Sequence, residues 1–225
     1  MAAIMPRIAQ AVPREQMVLH QLAERGVCDA RVLQAFREVP RHAFVPPELA
    51  AQAYDDRALA IEAGQTISQP YIVALMIEAL SLRSRDRVIE VGTGSGYAAA
   101  LCSLLCAEVY TVERHAELAD RASARLVELG YANVHVRIAD GTRGWPEEAP
   151  FNAILVSAGG PRVPAALEAQ LEMGGRLVIP VGERRAGQKL LRVTRRSATR
   201  LEREDLCEVA FVPLVGAEGW GEDQA

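Results

Sequence analysis

The stretch that decides the fold is IEVGTGSGYAAAL at residues 89–101. Within it, Gly92, Gly94 and Gly96 alternate directly after an apolar run and directly before a helical pattern. Glycine at a strand-to-helix turn lets the main chain bend sharply and lets a ligand approach without a Cβ atom in the way. The stretch therefore predicts the first strand and helix of an open α/β sheet, with a ligand beyond the carboxyl end of the strand.

The loop does not fit the common nucleotide motifs. A dinucleotide fingerprint needs its third glycine three residues after the second, where this chain has Tyr97. The Gly-Lys-Ser/Thr ending of a Walker-type phosphate loop is missing as well. Glu90, two residues before the loop, would repel a pyrophosphate but suits a ligand that carries an ammonium or sulfonium group. The sequence therefore indicates a cationic ligand.

Outward from the loop, strand patterns alternate with helical ones. We predict strands at residues 87–91, 108–113, 134–138, 153–156 and 176–180, and helices at 97–105, 115–129 and 164–171. This alternation is typical of an α/β, doubly wound, mostly parallel sheet with helices on both faces, a three-layer α/β/α arrangement. Residues 187–215 change rhythm and predict an antiparallel C-terminal strand pair.

The region before the loop predicts a helical cap. Residues 14–39 fit two amphipathic helices, with Gly26 ending the first and Asp29 capping the second. A short helix near 48–53 and a helix at 72–82 flank residues 55–71, which show no clear periodicity and form a loop long enough to suggest a function. We expect one compact domain in three parts: cap and substrate loop 1–83, ligand-binding core 84–216 and polar tail 217–225.

Composition argues against several classes of protein. A net charge of −4 and a pI near 5.7 provide no basic surface for nucleic acid. No apolar run is long enough for a membrane span, and the first residues lack the order of a signal peptide, so we expect a cytoplasmic protein. The four cysteines are scattered and predict free, buried thiols without a metal.

Acidic residues follow the next two predicted strands. Glu113 lies 21 residues after Gly92, where a carboxylate can accept both hydroxyl groups of a ribose. Asp140 and Gly141 follow the third strand, where a carboxylate can accept a hydrogen bond from an exocyclic amine. Alternatives remain open at both positions, since Glu113 could be a charge at a helix N-terminus and Asp140 a turn former.

This combination resembles the nucleotide site of class I S-adenosylmethionine-dependent methyltransferases over residues 87–160. The resemblance implies S-adenosyl-L-methionine as cofactor and S-adenosyl-L-homocysteine as product. The cofactor residues that it implies are Glu90, Gly92, Thr93, Gly94, Ser95, Glu113, Asp140 and Gly141.

A second stretch, GQTISQPYIVALMIEAL at residues 64–80, narrows the family. With GGRLVIPVG at 174–182 and FVPLVG at 211–216, it resembles protein-L-isoaspartate (D-aspartate) O-methyltransferases from about residue 17 to 216. The resemblance implies methyl transfer to the free α-carboxylate of isoaspartyl residues in damaged proteins and peptides. The ester then returns partly to aspartate through a succinimide. We expect a monomer with no nucleic-acid or membrane partner.

The same resemblance assigns substrate roles. Ser68 matches the serine of the family's Thr-Ile-Ser motif and is expected to hold one carboxylate oxygen while the other attacks; the alternative is an N-cap for the following helix. Thr66, Gln69 and Tyr71 are expected at the substrate mouth. Val212 is expected to offer main-chain groups to a peptide, although it could equally belong to a strand packed in the core.

Three positions depart from the family's pattern. Ala139 stands where glycine is common, Gly159–Gly160 brings added backbone freedom that would loosen the acceptor loop, and Tyr71 replaces a frequent histidine. Trp220 lies in the polar tail and has no assigned role. Two rival functions share these features: a methyltransferase for one dedicated peptide, and a non-catalytic module that binds S-adenosylmethionine. A nucleic-acid base methyltransferase fits less well, because the fourth strand is not followed by Asn/Asp-Pro-Pro-Tyr/Phe.

Overall fold

The computed structural model describes residues 10–184 and 187–224, and a seven-stranded sheet lies at its centre. Residues 1–9, which bear on the expected absence of a signal peptide, fall outside the described residues. The sheet strands are β3 (Arg87–Val91), β4 (Glu108–Glu113), β5 (Val134–Ile138), β6 (Phe151–Val156), β7 (Leu171–Gly182), β8 (Gln188–Arg195) and β9 (Leu201–Val209). Their order is β5-β4-β3-β6-β7-β8-β9, parallel from β5 to β7 and antiparallel for β8 and β9. The predicted doubly wound sheet is confirmed.

Strand alternation divides the core into two hydrophobic clusters. Val88 of β3 belongs to one cluster, whereas its neighbours Ile89 and Val91 belong to the other, because successive side chains point to opposite faces. The first cluster packs under helices α3 (Pro70–Leu80) and α4 (Tyr97–Ser103), and α5 (Ala116–Glu128) adds to it. The second packs under α6 (Ala165–Gln170). The sheet is therefore covered on both faces, as the near-continuous apolar strands require.

The N-terminal cap shares the first of these clusters. Its first helix begins as α1 (Ala11–Gln16), continues as a π-helix over Met17–Leu22 and ends in a 3-10 turn over Ala23–Arg25. It ends at Gly26, as predicted, where φ is +100°. Helix α2 (Ala30–Glu38) begins at Asp29, whose carboxylate accepts a hydrogen bond from the Arg31 amide at 2.8 Å, which confirms the predicted cap. The short helix expected near 48–53 is a 3-10 turn over Pro47–Gln52.

Residues 55–71 are more ordered than their sequence pattern indicates. Strands β1 (Leu59–Ala60) and β2 (Thr66–Ile67) pair antiparallel and form a short ribbon around the 3-10 turn Glu62–Gly64. Two residues per strand are too few to produce a visible alternation, which explains why the ribbon was not predicted. The ribbon leads directly into α3, which begins at Pro70 and carries Ser68 just outside its N-terminus.

The predicted C-terminal strand pair is present as β8 and β9, and β9 forms one edge of the sheet. Four consecutive charged residues on β9 are exposed: Glu202, Arg203, Glu204 and Asp205.

The tail after β9 is bound to the core. The indole Nε1 of Trp220 donates to the Gly159 carbonyl at 3.0 Å, and the Ala217 amide donates to Asp140 at 2.8 Å. Gly159 is held further, since its amide donates to the Val212 carbonyl and its carbonyl accepts from the Leu214 amide, each at 2.8 Å. The expected loosening at Gly159–Gly160 is therefore wrong. Trp220 has a structural role that its place in a polar tail did not indicate.

Two further findings concern the described residues as a whole. Within 10–184 and 187–224, no helix is long and apolar enough to cross a bilayer, and no group of three or more histidine, cysteine or acidic side chains could hold a metal. All four cysteines are free thiols. Cys102 and Cys106 are buried as expected, but Cys28 is exposed and Cys207 is half-buried. The expectation of four buried thiols is therefore wrong for those two.

Candidate functional site

The glycine loop lies where the strand order reverses. Chain order runs from β3 to β4 on one side, whereas β6 pairs with β3 on the other, so a crevice opens above the carboxyl end of β3. Gly92 and Gly96 have φ of +92° and +87°, a conformation that a side chain would strain. The Gly92 amide donates to the Val112 carbonyl at 2.9 Å, which fixes the loop on β4. The loop forms one wall of a cavity of about 560 Å³, which we call the cofactor cavity.

Glu113 faces this cavity and also organises its wall. The side chain is buried, with one oxygen accepting from the Gly94 amide and the other from the His115 amide, both at 3.0 Å. Each carboxylate oxygen has a second lone pair, which can accept a hydrogen bond from a ligand hydroxyl group in the cavity. The structure thus brings the predicted ribose-binding carboxylate to the loop, and it places that charge beside the start of α5 as the alternative expected.

Glu90 lies beneath the loop and is 1% exposed. Its carboxylate accepts from the hydroxyl of Thr111 at 2.8 Å and from that of Ser157 at 3.4 Å, and Thr111 pairs in turn with Thr93 at 2.7 Å. Burial raises the pKa of Glu90 to about 8, the Glu113 charge adds to the rise, and the hydroxyl groups oppose it. No cationic side chain of the described residues pairs with this carboxylate.

This uncompensated carboxylate tests whether the expected cofactor fits. An isolated buried charge is costly, and a cationic ligand beside it would offset that cost. The glycine loop, the carboxylates of Glu90 and Glu113 and the cavity volume together suit an adenosyl ligand with an ammonium or sulfonium group. Thr93, Gly94 and Ser95 line the same cavity, as does Gly141, so most of the predicted cofactor residues are brought together.

Asp140 is placed differently from its neighbours. One carboxylate oxygen accepts from the amide and the hydroxyl of Thr142, at 2.9 and 2.7 Å, and the other accepts from the Ala217 amide at 2.8 Å. These hydrogen bonds lower the pKa of Asp140 against the opposing effect of desolvation, which is the largest single contribution. Asp140 lines a separate cavity of about 440 Å³ with Arg114 and Trp220, and Arg114 also lines the cofactor cavity. The turn-forming alternative for Asp140 is present, and its contact with an exocyclic amine stays a prediction.

A second cavity of about 460 Å³, the acceptor cavity, adjoins the first. Ser68 lines both. Helix α3 is capped at Gln69 without any side-chain hydrogen bond, so Ser68 does not serve as the N-cap. The Ser68 hydroxyl has no hydrogen-bond partner among the described residues, and it is therefore available to a ligand at the point where the cavities meet.

The other predicted substrate residues separate into two groups. Thr66 and Val212 line both cavities, and Gln69 lines the acceptor cavity while its amide donates to Asp56 at 2.8 Å. Tyr71 lines neither cavity, because its ring packs against the core and is covered by the guanidinium of Arg25 at 3.7 Å. The structure thus gives no support to Tyr71 at the substrate mouth.

Two residues at the site were missed by the sequence analysis. Ser157, the first residue after β6, lines both cavities and bonds Glu90; its place at a strand end is the signal that could have revealed it. Gln188 is fully buried, and its side-chain amide binds both the amide and the carbonyl of Phe211. No sequence pattern marks a buried glutamine that shapes a distant segment.

The first prediction concerns Glu113. Replacing it in the variant Glu113→Gln removes a charged hydrogen-bond partner, so S-adenosylhomocysteine should bind more weakly by about 1–3 kcal/mol. Calorimetric titration measures the effect, with Glu117→Gln as the control because Glu117 is exposed and pairs only with Arg121. Equal affinity in parent and Glu113→Gln would remove this carboxylate from the ligand contacts.

The second prediction follows from the raised pKa of Glu90. Without ligand the carboxyl group is protonated below about pH 8, and a cationic ligand favours the ionised form. Binding of S-adenosyl-L-methionine, which carries a sulfonium as well as an ammonium group, should therefore release protons and tighten as pH rises from about 6 to 8. Calorimetry in buffers of different ionisation enthalpy measures this release. Glu90→Gln should abolish it, and an affinity independent of pH in the parent would contradict the assignment.

Comparison with known proteins identifies the family. The profile described as protein-L-isoaspartate(D-aspartate) O-methyltransferase matches residues 13–219. A protein-L-isoaspartate O-methyltransferase from Rhodopseudomonas palustris (strain ATCC BAA-98 / CGA009) is 57% identical over 204 residues, covering 91% of this chain and 94% of the relative. One from Methylorubrum extorquens (strain PA1) is 58% identical over 210 residues, covering 93% and 91%.

Solved structures agree with the sequence matches. A structure described as a protein-L-isoaspartate O-methyltransferase superposes with a TM-score of 0.81 at 30% identity, covering 92% of this chain and 67% of the other. A Plasmodium falciparum structure with the same description, in complex with S-adenosyl-L-homocysteine, gives 0.76 at 25% identity, covering 89% and 97%. The chain therefore belongs to the protein-L-isoaspartate (D-aspartate) O-methyltransferase family, enzymes that use S-adenosyl-L-methionine as the methyl donor.

Proposed function

We propose that this enzyme methylates the free α-carboxylate of isoaspartyl residues in damaged proteins and peptides, and that Ser68 orients that carboxylate. The observation that carries the proposal is the meeting of the two cavities at Ser68. One cavity has the loop and carboxylates suited to an adenosyl cation. The other opens beside a segment of main chain that a peptide can follow. A group entering from the acceptor cavity reaches the cofactor cavity beside the Ser68 hydroxyl.

The chemistry asks for orientation more than for proton transfer. S-adenosyl-L-methionine supplies an activated methyl group when bound. A carboxylate is already ionised at pH 7, so it needs no general base. Ser68 donates a hydrogen bond to one carboxylate oxygen and leaves the other free to attack. Holding the attacking oxygen in the orientation that transfer requires is the contribution asked of these residues.

The surroundings of Ser68 suit this task. The residues shared by both cavities carry either a hydroxyl group or an apolar surface: Ala58, Thr66, Ser68, Ser157, Ala210, Phe211 and Val212. None of these shared residues is a cation that would hold the carboxylate in a fixed ion pair. Opposite charges neutralise each other in the transfer, so a junction without charged side chains favours it.

Main-chain groups at 210–212 are proposed to bind the peptide. The Val212 carbonyl is used by Gly159, but the Val212 amide has no partner among the described residues. Gln188 holds the neighbouring Phe211 by both its amide and its carbonyl, which fixes the direction of the segment. Pairing main chain with main chain suits an enzyme that accepts many sequences around one abnormal linkage.

We extend the proposal to the later fate of the product and to the setting. The methyl ester loses methanol to form a succinimide, and water reopens this ring partly to normal aspartate without further help from the enzyme. The four free thiols suit a reducing compartment, which supports a cytoplasmic location.

The third prediction tests the function itself. The purified enzyme, labelled methyl donor and matched isoaspartyl and aspartyl peptides of several sequences are incubated together. We expect label in the isoaspartyl peptides alone, across sequences. Label in one sequence only would favour a dedicated peptide substrate, and cofactor binding without any label would favour a non-catalytic module.

The fourth prediction concerns Ser68. The variant Ser68→Ala should lower kcat on an isoaspartyl peptide by about ten- to hundredfold, since a hydrogen bond to a charged group contributes about 1.5–3 kcal/mol. Affinity for S-adenosylhomocysteine should stay close to that of the parent. Ser84→Ala serves as the control, because Ser84 is exposed and lies outside the segment 64–72 that contains Ser68. Equal turnover by Ser68→Ala and the parent would refute the role.

A further inference from the structure

Arg41 is a fully buried cation without a carboxylate partner. Its side chain is 0% exposed, and no acidic group of the described residues lies within ion-pair distance. Instead its Nε donates to the Ala53 carbonyl at 2.7 Å, and its Nη2 donates to the Ser68 carbonyl at 2.8 Å. Burying an unpaired charge costs several kcal/mol of folding free energy. The two hydrogen bonds to carbonyl groups form despite this desolvation cost.

The same guanidinium also reaches the helix that follows the glycine loop. Its central carbon lies 4.9 Å from the centre of the Tyr97 ring, an arrangement in which the ring face attracts the cation. Tyr97 is the first residue of α4, directly after Gly96, and Phe36 and Phe44 pack edge-on against its ring. Arg41 therefore contacts the cap, the Ser68 segment and the start of the cofactor-loop helix at once.

These contacts act on the orientation of the Ser68 side chain. Holding the Ser68 carbonyl fixes the peptide plane between Ser68 and Gln69 and thereby restrains ψ of Ser68, the angle that sets the direction of the Cα–Cβ bond relative to that plane. The planar fork of arginine can hold two carbonyls in fixed relative positions, whereas the ammonium of lysine is a single donor point on a flexible stem. The direction of the Ser68 hydroxyl group therefore depends on the hydrogen bond that Arg41 donates to the Ser68 carbonyl.

We propose that Arg41 is a positioning residue for methyl transfer, which aims the Ser68 hydroxyl at the acceptor carboxylate by holding the Ser68 carbonyl. The inference rests on the proposed role of Ser68, because Arg41 lines neither cavity and acts only through that residue. A purely structural role would instead lower stability while leaving turnover of the folded enzyme unchanged.

The test is a double-mutant cycle with Arg41→Lys, Ser68→Ala and the double variant. Alone, Arg41→Lys should lower kcat by about ten- to hundredfold, the scale of a misplaced reacting group, with little change in affinity for S-adenosylhomocysteine. In the Ser68→Ala background it should cause almost no further loss. Additive losses in kcat would overturn the proposal, and so would unchanged kcat for Arg41→Lys.

A control and a second variant keep the test decisive. Arg176→Lys changes an arginine on β7 that is also largely buried, with 18% of its side chain exposed, but that lies 4.0 Å from Asp86 and lines neither cavity. It should leave kcat unchanged and add independently to Ser68→Ala. Arg41→Gln avoids burying an unpaired charge, so it folds without that cost, and it should lower kcat as Arg41→Lys does.

Hydrogen exchange separates this proposal from the function on which it rests. In the complex with S-adenosylhomocysteine, amides of residues 66–72 should exchange faster in Arg41→Lys than in Arg176→Lys. This readout does not depend on turnover, so it applies even if the parent fails to methylate isoaspartyl peptides. Equal exchange in the two variants would overturn the positioning role.

Discussion

One buried carboxylate joins the parts on which the site depends. Glu90 lies on β3, and its two oxygens accept from Thr111 on β4 and from Ser157 after β6, so it connects the ends of three neighbouring strands. Its burial without a cation raises its pKa to about 8, so the carboxyl group is largely protonated at neutral pH until a cationic ligand favours the ionised form. A buried acid of this kind is costly to the free protein and favours binding of a positively charged cofactor, a trade of stability for binding that is common at functional sites.

The acceptor side is built from segments that are far apart along the chain. Three segments meet around Ser68: the flap at 64–72, the loop after β6 and the stretch at 210–215. Each is held by a side chain from another part of the chain. Arg41 holds the flap, Gln188 holds Phe211, and Trp220 holds the Gly159 carbonyl. Rigid support of this kind places reacting groups without spending cofactor-binding energy on ordering the loops.

Features decided by local sequence could be predicted, whereas features decided by contacts between distant segments could not. Strands β3, β4 and β5 were predicted at the observed bounds. Strands β3 and β4 are short and largely buried, and the edge strand β5 alternates aliphatic with polar residues, so the local pattern reveals the limits of all three. The residues of the glycine loop were identified because glycine is required there by backbone conformation. The orientation of Asp140 could be predicted only in part: the turn contacts with Thr142 are local, but the hydrogen bond from the Ala217 amide comes from 77 positions later. The roles of Arg41 and Gln188 were not predicted for a similar reason. Their partners are main-chain carbonyls and amides, which carry no sequence signature.

The charges on the edge strand β9 bear on how this enzyme meets damaged proteins as substrates. Aged proteins often expose extended segments, and an unprotected sheet edge would template them into aggregates. Glu202, Arg203, Glu204 and Asp205 discourage such pairing along β9. Just past the strand, at 210–212, the charges give way to alanine, phenylalanine and valine beside the acceptor cavity. The sheet edge is therefore charged along β9 and turns apolar where we propose that the peptide binds.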